Sequence, residues 1–220
     1  MRILAVDTST PWASVALREG TETRGEVRRY GAEGHSRWLL PAIDSLLGGL
    51  GVAAADLEAY AVATGPGSFT GLRVGISTIQ GLALASPRPC LGVSTLDALA
   101  ALVTEGAAPR LAMMDAGRDE VYAALYEADG QLRGERRVGA VETFLAEVTG
   151  EVTFVGDGAE RYREHIQAAL PRALVSPGPW FVAAALGRLA EPRLAAGEGQ
   201  GPEALRPLYL RQAQIRKASP

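Results

Sequence analysis

Lysine is almost missing from this 220-residue chain. Of 22 basic residues only Lys217 is a lysine, which leaves 21 arginines. With so much alanine this pattern follows genomic composition bias, and arginine-rich surfaces are also compatible with heat stability. Histidine is nearly as scarce, with only His35 and His165. No His-Glu-x-x-His pattern exists, and a zinc site made of carboxylates alone is unusual chemistry. His35 opens an amphipathic segment and His165 sits inside another, places where histidine is more often a capping or surface residue than a ligand. The single cysteine, Cys90, excludes an internal disulfide. It lies in the apolar run Pro89-Cys90-Leu91-Gly92-Val93 without a flanking charge, as a buried inert thiol does. Basic residues number 22 against 25 acidic ones, for a net charge of −3 and a pI of about 5.5. That balance offers no basic footprint for independent nucleic-acid binding. No apolar run approaches the roughly 18 residues of a membrane span. Asp7 also interrupts the first apolar run too early for a signal peptide. These absences predict a soluble, cytoplasmic protein with no membrane contact.

What is present points to a folded core. The chain is 47% hydrophobic, and its length suits one domain or two small ones. It contains an internal echo. Arg2-Ile3-Leu4-Ala5-Val6-Asp7 resembles Arg110-Leu111-Ala112-Met113-Met114-Asp115. Ser14-Val15-Ala16-Leu17 and Tyr122-Ala123-Ala124-Leu125 follow at the same spacing, a pattern that either duplication or chance can supply. Each copy continues as a meander. Strands are predicted near 2–7, 12–18 and 23–30, and again at Val121–Tyr126 and Leu132–Val138 around an Asp129-Gly130 turn.

Helices follow each meander. The first covers residues 35–50, with Pro41 predicting a kink or a start nearer Arg37. Ser94 and Asp97 fit a capping box before Leu96 to Val103. Further helices are expected at 141–149, 159–170 and 180–194, then a linker at 197–202 and a short apolar tail. The resulting α/β pattern is two lobes, 1–105 and 106–220, with mixed sheets and a tail from about 203 free to pack back on the first lobe. Hairpins at the head of each lobe argue against a Rossmann fold.

Thr64-Gly65-Pro66-Gly67-Ser68-Phe69-Thr70-Gly71-Leu72-Arg73-Val74-Gly75 reads as strand end, glycine-rich turn and helix start. Such a turn either aims free amides at an anion or lets backbone pack closely. Its spacing is neither a P-loop nor a dinucleotide fingerprint. Gly71 and Gly75 leave a flat stripe on the helix that follows. Trp38, Leu39, Ala42, Ile43, Leu46, Leu47 and Leu50 form a wide apolar stripe on the helix before it. The two helices either pack on each other or share an interface with a partner. Asp7, Thr8 and Ser9 form a turn that is either an Asx-type β-turn or an approach to phosphates, and Asp115, Gly117, Arg118 and Glu120 form its counterpart.

The elements Ile3-Leu4-Ala5-Val6-Asp7-Thr8-Ser9, Gly34-His35-Ser36 and Leu39-Leu40-Pro41-Ala42-Ile43-Asp44 occur in order with the glycine-rich segment, Gly92-Val93-Ser94-Thr95-Leu96, Met114-Asp115-Ala116, Glu120-Val121-Tyr122 and Tyr209-Leu210-Arg211. Together they resemble the TsaB (YeaZ) family over nearly the whole chain. The resemblance implies an actin-like ATPase (ASKHA) superfamily fold. It implies a non-catalytic subunit of the bacterial machinery that makes N6-threonylcarbamoyladenosine at position 37 of tRNA, and no cofactor. The implied partners are a TsaD-type catalytic subunit and a TsaE-type ATPase, with a homodimer when the chain is alone and tRNA reached only through the complex. The related catalytic subunit carries a His-Met-Glu-Gly-His metal motif after a Gly-Val pair. Aligning Gly92-Val93 there places Thr95 and Leu99 at the histidine positions, and neither replaces imidazole on a metal. The resemblance puts the partner surface on the first two helices, here His35, Trp38, Leu39, Ala42, Ile43 and Leu46 with Gly71, Val74, Gly75, Thr78 and Leu82. It makes Asp7, Thr8, Ser9, Asp115 and Gly117 vestigial phosphate turns, with no catalytic or metal-binding residue. The alternative on the same fold is an ATPase or small-molecule kinase.

Overall fold

A computed structural model describes residues 1–31, 34–104 and 108–211, so the expected lobe boundary at 105/106 lies outside the described residues. The meanders form where alternating apolar residues and short turns predict them. The strands β1 (Arg2–Asp7), β2 (Trp12–Glu19) and β3 (Glu22–Tyr30) pair antiparallel. The helix α1 (His35–Gly49) then returns the chain so that β4 (Ala59–Gly65) lies parallel to β1. After α2 (Phe69–Ala85), β5 (Cys90–Ser94) lies parallel to β4. The first sheet has the order β3-β2-β1-β4-β5.

A short α3 (Thr95–Ala100) leads to the second sheet. There β6 (Arg110–Gly117), β7 (Glu120–Tyr126) and β8 (Leu132–Ala140) repeat the antiparallel meander. After α4 (Val141–Glu147), β9 (Thr153–Val155) lies parallel to β6. The helices α5 (Asp157–Arg161) and α6 (Arg163–Ala169) lead to β10 (Leu174–Val175), parallel to β9. Its order, β10-β9-β6-β7-β8, is the first sheet's order again, and β1 and β6 hold corresponding central places. The sequence echo between Arg2–Asp7 and Arg110–Asp115 therefore falls on equivalent strands.

Alternation along the strands decides what each face meets, because successive side chains point to opposite sides. In the first sheet Leu4, Val6, Leu17, Tyr60 and Val62 face α1 and α2. Ile3, Ala5, Ala61, Ala63 and Val93 face the other way, into a layer shared with Leu96 and Leu99 of α3 and Leu186 and Ala190 of the helix α7 (Ala183–Ala195). Ala112, Met114, Ala124 and Tyr126 of the second sheet enter that same layer. Leu111, Met113 and Val121 point outward to Phe144, Ala159 and Ile166 on α4, α5 and α6. The molecule thus stacks helices, sheet, helices, sheet, helices. Although α7 follows the second sheet in sequence, it packs on β1, β2, β4 and β5 of the first. The tail also runs along the first sheet's edge. Gln200 and Cys90 exchange backbone hydrogen bonds, the Leu208 amide donates to the Thr64 carbonyl at 2.7 Å, and Leu205 is buried. No helix among the described residues is long and apolar enough to cross a membrane.

Three local expectations need correction. Of the two outcomes expected at Pro41, the later start does not occur, because α1 begins at His35. The missing donor of Pro41 would have met the Arg37 carbonyl, and both residues lie on the exposed side, where water serves that oxygen. The capping box at Ser94 and Asp97 is not made. Asp97 instead accepts from the Tyr126 hydroxyl at 2.6 Å and from Arg136 at 2.8 and 2.7 Å. A bidentate charged pair outweighs one capping bond to a backbone amide. The single helix expected at 159–170 breaks at Tyr162 into α5 and α6.

The start of α7 is capped from another element. Its own N-cap residue, Val182, has no acceptor in its side chain, and the Ala183 amide donates to Ser14 Oγ of β2 at 3.0 Å in a fully buried setting. Replacing Ser14 by Ala should destabilise the fold by about 1–2 kcal/mol, the range for losing a helix cap. Urea unfolding with an unchanged m-value would read this directly. An unchanged midpoint would mean that the bond does not hold α7 in place.

Candidate functional site

The glycine-rich segment ends β4 and opens α2, and its glycines face the Asp7-Thr8-Ser9 turn. A Cβ on Gly67 would lie 2.4 Å from the Ser9 carbonyl oxygen, and one on Gly71 would lie 2.0 Å from that of Thr8. One on Gly75 would lie 2.6 Å from Thr8 Oγ1. The Ser68 amide donates to the Ser9 carbonyl at 2.7 Å, the Gly71 amide to Ser68 Oγ at 3.2 Å, and Thr8 Oγ1 to the Gly71 carbonyl at 2.8 Å. The Ser68 and Gly71 amides, two that could have held an anion, are thus bonded within the chain. The flat stripe does receive a backbone at close range, but it is this turn and not a second helix.

Asp7 is fully buried at the end of β1. Its Oδ1 accepts from the Ser9 amide at 2.8 Å, while Oδ2 has no partner. Burial, with a small addition from the charge of Glu26, pushes its carboxyl up to about 6. On the second sheet, Asp115 Oδ1 accepts from the Gly117 amide at 3.0 Å and Oδ2 from Arg161 at 2.6 Å. The two turns are therefore unlike. One carboxylate is orphaned and dry, and the other is half-exposed and matched by arginine.

Between them the chain fills its own cleft. Asp7, Thr95, Leu99 and Asp157 line a void of about 10 Å³ closed by Trp12, Trp180 and Val182. That space admits one water at most. Trp12 meets Trp180 and Phe181 edge-on, with ring centroids 5.4 and 5.3 Å apart. The Thr95 hydroxyl donates to Ser9 Oγ at 3.3 Å. Asp157 is held above its ordinary range by burial, although its Oδ1 accepts from the amides of Asp115 and Gly158. Sequence reasoning missed Asp157 and both tryptophans. The pattern Val155-Gly156-Asp157-Gly158 was the available signal, an aspartate between glycines after an apolar run; a Cβ on Gly156 would lie 2.2 Å from the Met113 carbonyl oxygen. Among the described residues no three of His, Cys, Asp and Glu converge as a metal site.

The helices expected to form a partner surface pack on each other and on the first sheet. His35, Leu39, Ala42, Ile43, Leu46, Gly71 and Gly75 are buried, whereas Trp38, Val74, Thr78 and Leu82 are partly exposed. The seven buried residues face the chain's own core, and the partly exposed four lie on the outer side of the same helices. The apolar groups that do reach the surface here are Leu40 and Phe69, each 54% exposed, and Leu84 at 71%. Phe69 is stacked on Tyr209 of the tail at 5.6 Å and lies under the Arg73 guanidinium at 3.9 Å. Burial first, and nearby Arg29 second, hold the pKa of His35 below its ordinary value. His165 lies at the surface, 3.3 Å from Glu142.

Known proteins match this arrangement along its length. A family model described as TsaD: tRNA N6-adenosine threonylcarbamoyltransferase covers residues 19–218. The tRNA threonylcarbamoyladenosine biosynthesis protein TsaB of Escherichia coli is 39% identical over 72% of each chain. The solved structure of YeaZ from Pseudomonas aeruginosa superposes with a TM-score of 0.81 at 34% identity, covering 95% of this chain and 99% of that one. The chain belongs to the TsaB (YeaZ) family. More distant structures share the fold alone. The ROK hexokinase of Thermus thermophilus aligns at a TM-score of 0.51 and 15% identity over 84% of this chain and 97% of its own. The two mixed sheets with flanking helices are those of the actin-like ATPase superfamily. In this TsaB-family chain the space between the Asp7 and Asp157 turns is occupied by its own side chains.

The orphaned carboxylate makes stability pH-dependent in a defined direction. Asp7 holds its proton more tightly folded than unfolded, so the folded chain is favoured at low pH. That advantage is lost as pH rises from about 4 through about 6. Asp7→Asn should remove the dependence and stabilise the chain at pH 7 by up to about 3 kcal/mol, with little effect at pH 4. Chemical denaturation at both pH values checks the sign. A variant destabilised equally at both would show that the carboxyl is not the source.

Proposed function

We propose that this chain is a non-catalytic subunit in the formation of tRNA N6-threonylcarbamoyladenosine, binding and activating a TsaD-type threonylcarbamoyltransferase. The observation that carries this reading is the filled interlobe cleft. Where the fold would receive a nucleotide, Trp12, Trp180 and Leu99 leave about 10 Å³. Support for the pathway comes from the relatives' names, which place TsaB in threonylcarbamoyladenosine biosynthesis. Thr95 and Leu99 occupy positions where a metal-binding subunit needs imidazole, and neither side chain offers it. The chain acts through contact. It binds the competent arrangement of its partner more tightly than the incompetent one, since a ligand shifts an equilibrium only by its differential affinity.

The docking face is the outer side of α1 and α2. Leu40 and Leu84 supply exposed apolar contacts, with Phe69 and Arg73 at the start of α2 and partly exposed Trp38, Val74, Thr78 and Leu82 between them. The same face joins two copies of the chain when the catalytic subunit is absent, so homodimer and heterodimer compete. A TsaE-type ATPase completes the assembly, and tRNA is reached through the complex. An ATPase or kinase reading would need the cleft to open.

Reconstituted tRNA modification with and without this chain tests the proposal. Modified adenosine should form only when the chain joins the transferase, the ATPase and the adenylate-forming enzyme, and the chain alone should form none. Transfer or brisk ATP hydrolysis by the chain alone would favour the enzyme reading. Leu40→Glu and Leu84→Glu should each weaken partner binding roughly tenfold or more, as losses at an interface centre do. Surface changes of this kind leave thermal stability nearly unchanged. If both variants bind and stimulate like the parent, the face is misassigned. Gly75 is unsuitable for this purpose, because any side chain there strikes Thr8 inside the lobe.

A further inference from the structure

A second opening between the lobes lies at the opposite end of the central strands, where β6 begins. It is a cavity of about 570 Å³ bounded by α3, the β7–β8 hairpin and α7. Its size falls within the range of small-molecule sites. Four arginines line it, Arg110, Arg136, Arg188 and Arg193, against two aspartates, Asp97 and Asp129.

The arginines differ in what answers their charge. Arg136 is matched by Asp97 through two hydrogen bonds, and Asp97 also accepts from Tyr126. Arg193 pairs with Glu198 at 2.8 Å, and Arg188 donates to the Ala101 carbonyl. Asp129 Oδ1 accepts from the Gln131 amide at 2.9 Å and lies exposed. Arg110 is left over. It is 8% exposed, its Nε has no hydrogen-bond partner, and its guanidinium makes no ion pair among the described residues. A guanidinium cannot shed its charge. The Arg110 side chain lines the cavity with its charge unpaired by any carboxylate among the described residues. Of the two carboxylates that line the cavity, Asp97 is already taken by Arg136 and Tyr126.

We propose that this cavity is an oxyanion-binding site, taking a small molecule whose phosphate or carboxylate group pairs with Arg110. The planar fork of Arg110 suits either group, because both present two oxygens in bidentate geometry. Arg188, which also lines the cavity, adds a second positive charge. Val93, Leu132 and Leu189 offer apolar wall to the body of the ligand. The site belongs to neither aspartate turn and does not require the closed cleft to open.

Isothermal titration of the full chain with inorganic phosphate and, separately, with citrate tests the proposal, using sodium chloride at matched ionic strength as control. Saturable binding of at least one probe is expected, and which probe binds separates a phosphate from a carboxylate ligand. Arg110→Met should weaken that binding at least about tenfold, because the charge-assisted pair is lost. Without anion the variant should melt at the same or a higher temperature than the parent, because a mostly buried cation with an unpartnered Nε and no paired carboxylate has been removed. The bound probe should raise the parent's melting temperature and leave the variant's unmoved. In the unaltered chain, phenylglyoxal labelling of Arg110, read by peptide mass, should slow when the probe is present, which keeps the test independent of the variant's folding. Binding unchanged in Arg110→Met, labelling unaffected by either probe, or no saturable binding in the tens of millimolar would each overturn the assignment.

Discussion

The shared apolar layer between the two sheets is the constraint on which the other features depend. Alternation puts Ile3, Ala5, Ala61 and Ala63 on one side and Ala112, Met114 and Ala124 on the other, with α3 and α7 between. Small residues on the strands let α7 lie close. A Cβ on Gly187 would sit 2.7 Å from Arg18 Cδ and 3.4 Å from the Ala5 side chain. At roughly 25 cal/mol per Å² of apolar surface removed from water, this layer is a large share of the driving force for folding. Neither sheet could keep its inner face buried without the helices that the other half of the chain supplies. The lobes are distinct in topology and joined in their packing.

That closeness sets the electrostatics. Groups that reach the layer's ends lose water, and the chain answers each differently. Asp97 acquires Arg136 and Tyr126. Arg18, almost buried, acquires Glu191 of α7 at 2.9 Å. Asp7 acquires only the Ser9 amide on one oxygen, and Arg110 acquires nothing among the described residues. The unmatched pair, one acid and one base, sit at opposite ends of corresponding strands, β1 and β6. An acid can relieve burial by keeping a proton, and Asp7 is pushed toward that state. An arginine has no such route, which is why the basic end of the layer looks for a ligand while the acidic end is closed.

Much of this was legible in the sequence where local rules suffice. Strand alternation and the Asp129-Gly130 turn located both meanders, and the echo around Asp7 and Asp115 marked equivalent strands. The glycine-rich segment signalled close approach, though not what approaches. Spacing says that Leu39, Ile43 and Leu46 share a helix face, but it carries no information on which body covers that face. For the same reason the wide stripes on α1 and α2 did not reveal how much of each is covered by the first sheet and by the other helix, and how much, as at Leu40 and Leu84, stays exposed. The position of α7 was invisible, since nothing local records that a helix late in the chain packs on the first strands. Asp97 read as a cap because the sequence places it three residues after Ser94; Tyr126 and Arg136, which claim it, lie about thirty and forty positions away.

The closed cleft can be weighed as well as described. Admitting a nucleotide would mean parting Trp12 from Trp180 and wetting Leu99 and the buried face of Asp7. Tryptophan buries on the order of 200 Å², so exposing one ring alone costs roughly 5 kcal/mol. A site with an intrinsic affinity near 1 μM has about 8 kcal/mol to spend. What remains after opening, roughly 3 kcal/mol, corresponds to binding weaker than millimolar. Packing between the Asp7 and Asp157 turns leaves about 10 Å³ there, so these side chains hold the lobes together. A chain locked in this way presents its outer helices as a rigid surface, and rigid surfaces lose the least entropy when they dock. On the reading proposed above, the filled cleft and a scaffolding role would in that sense be one property.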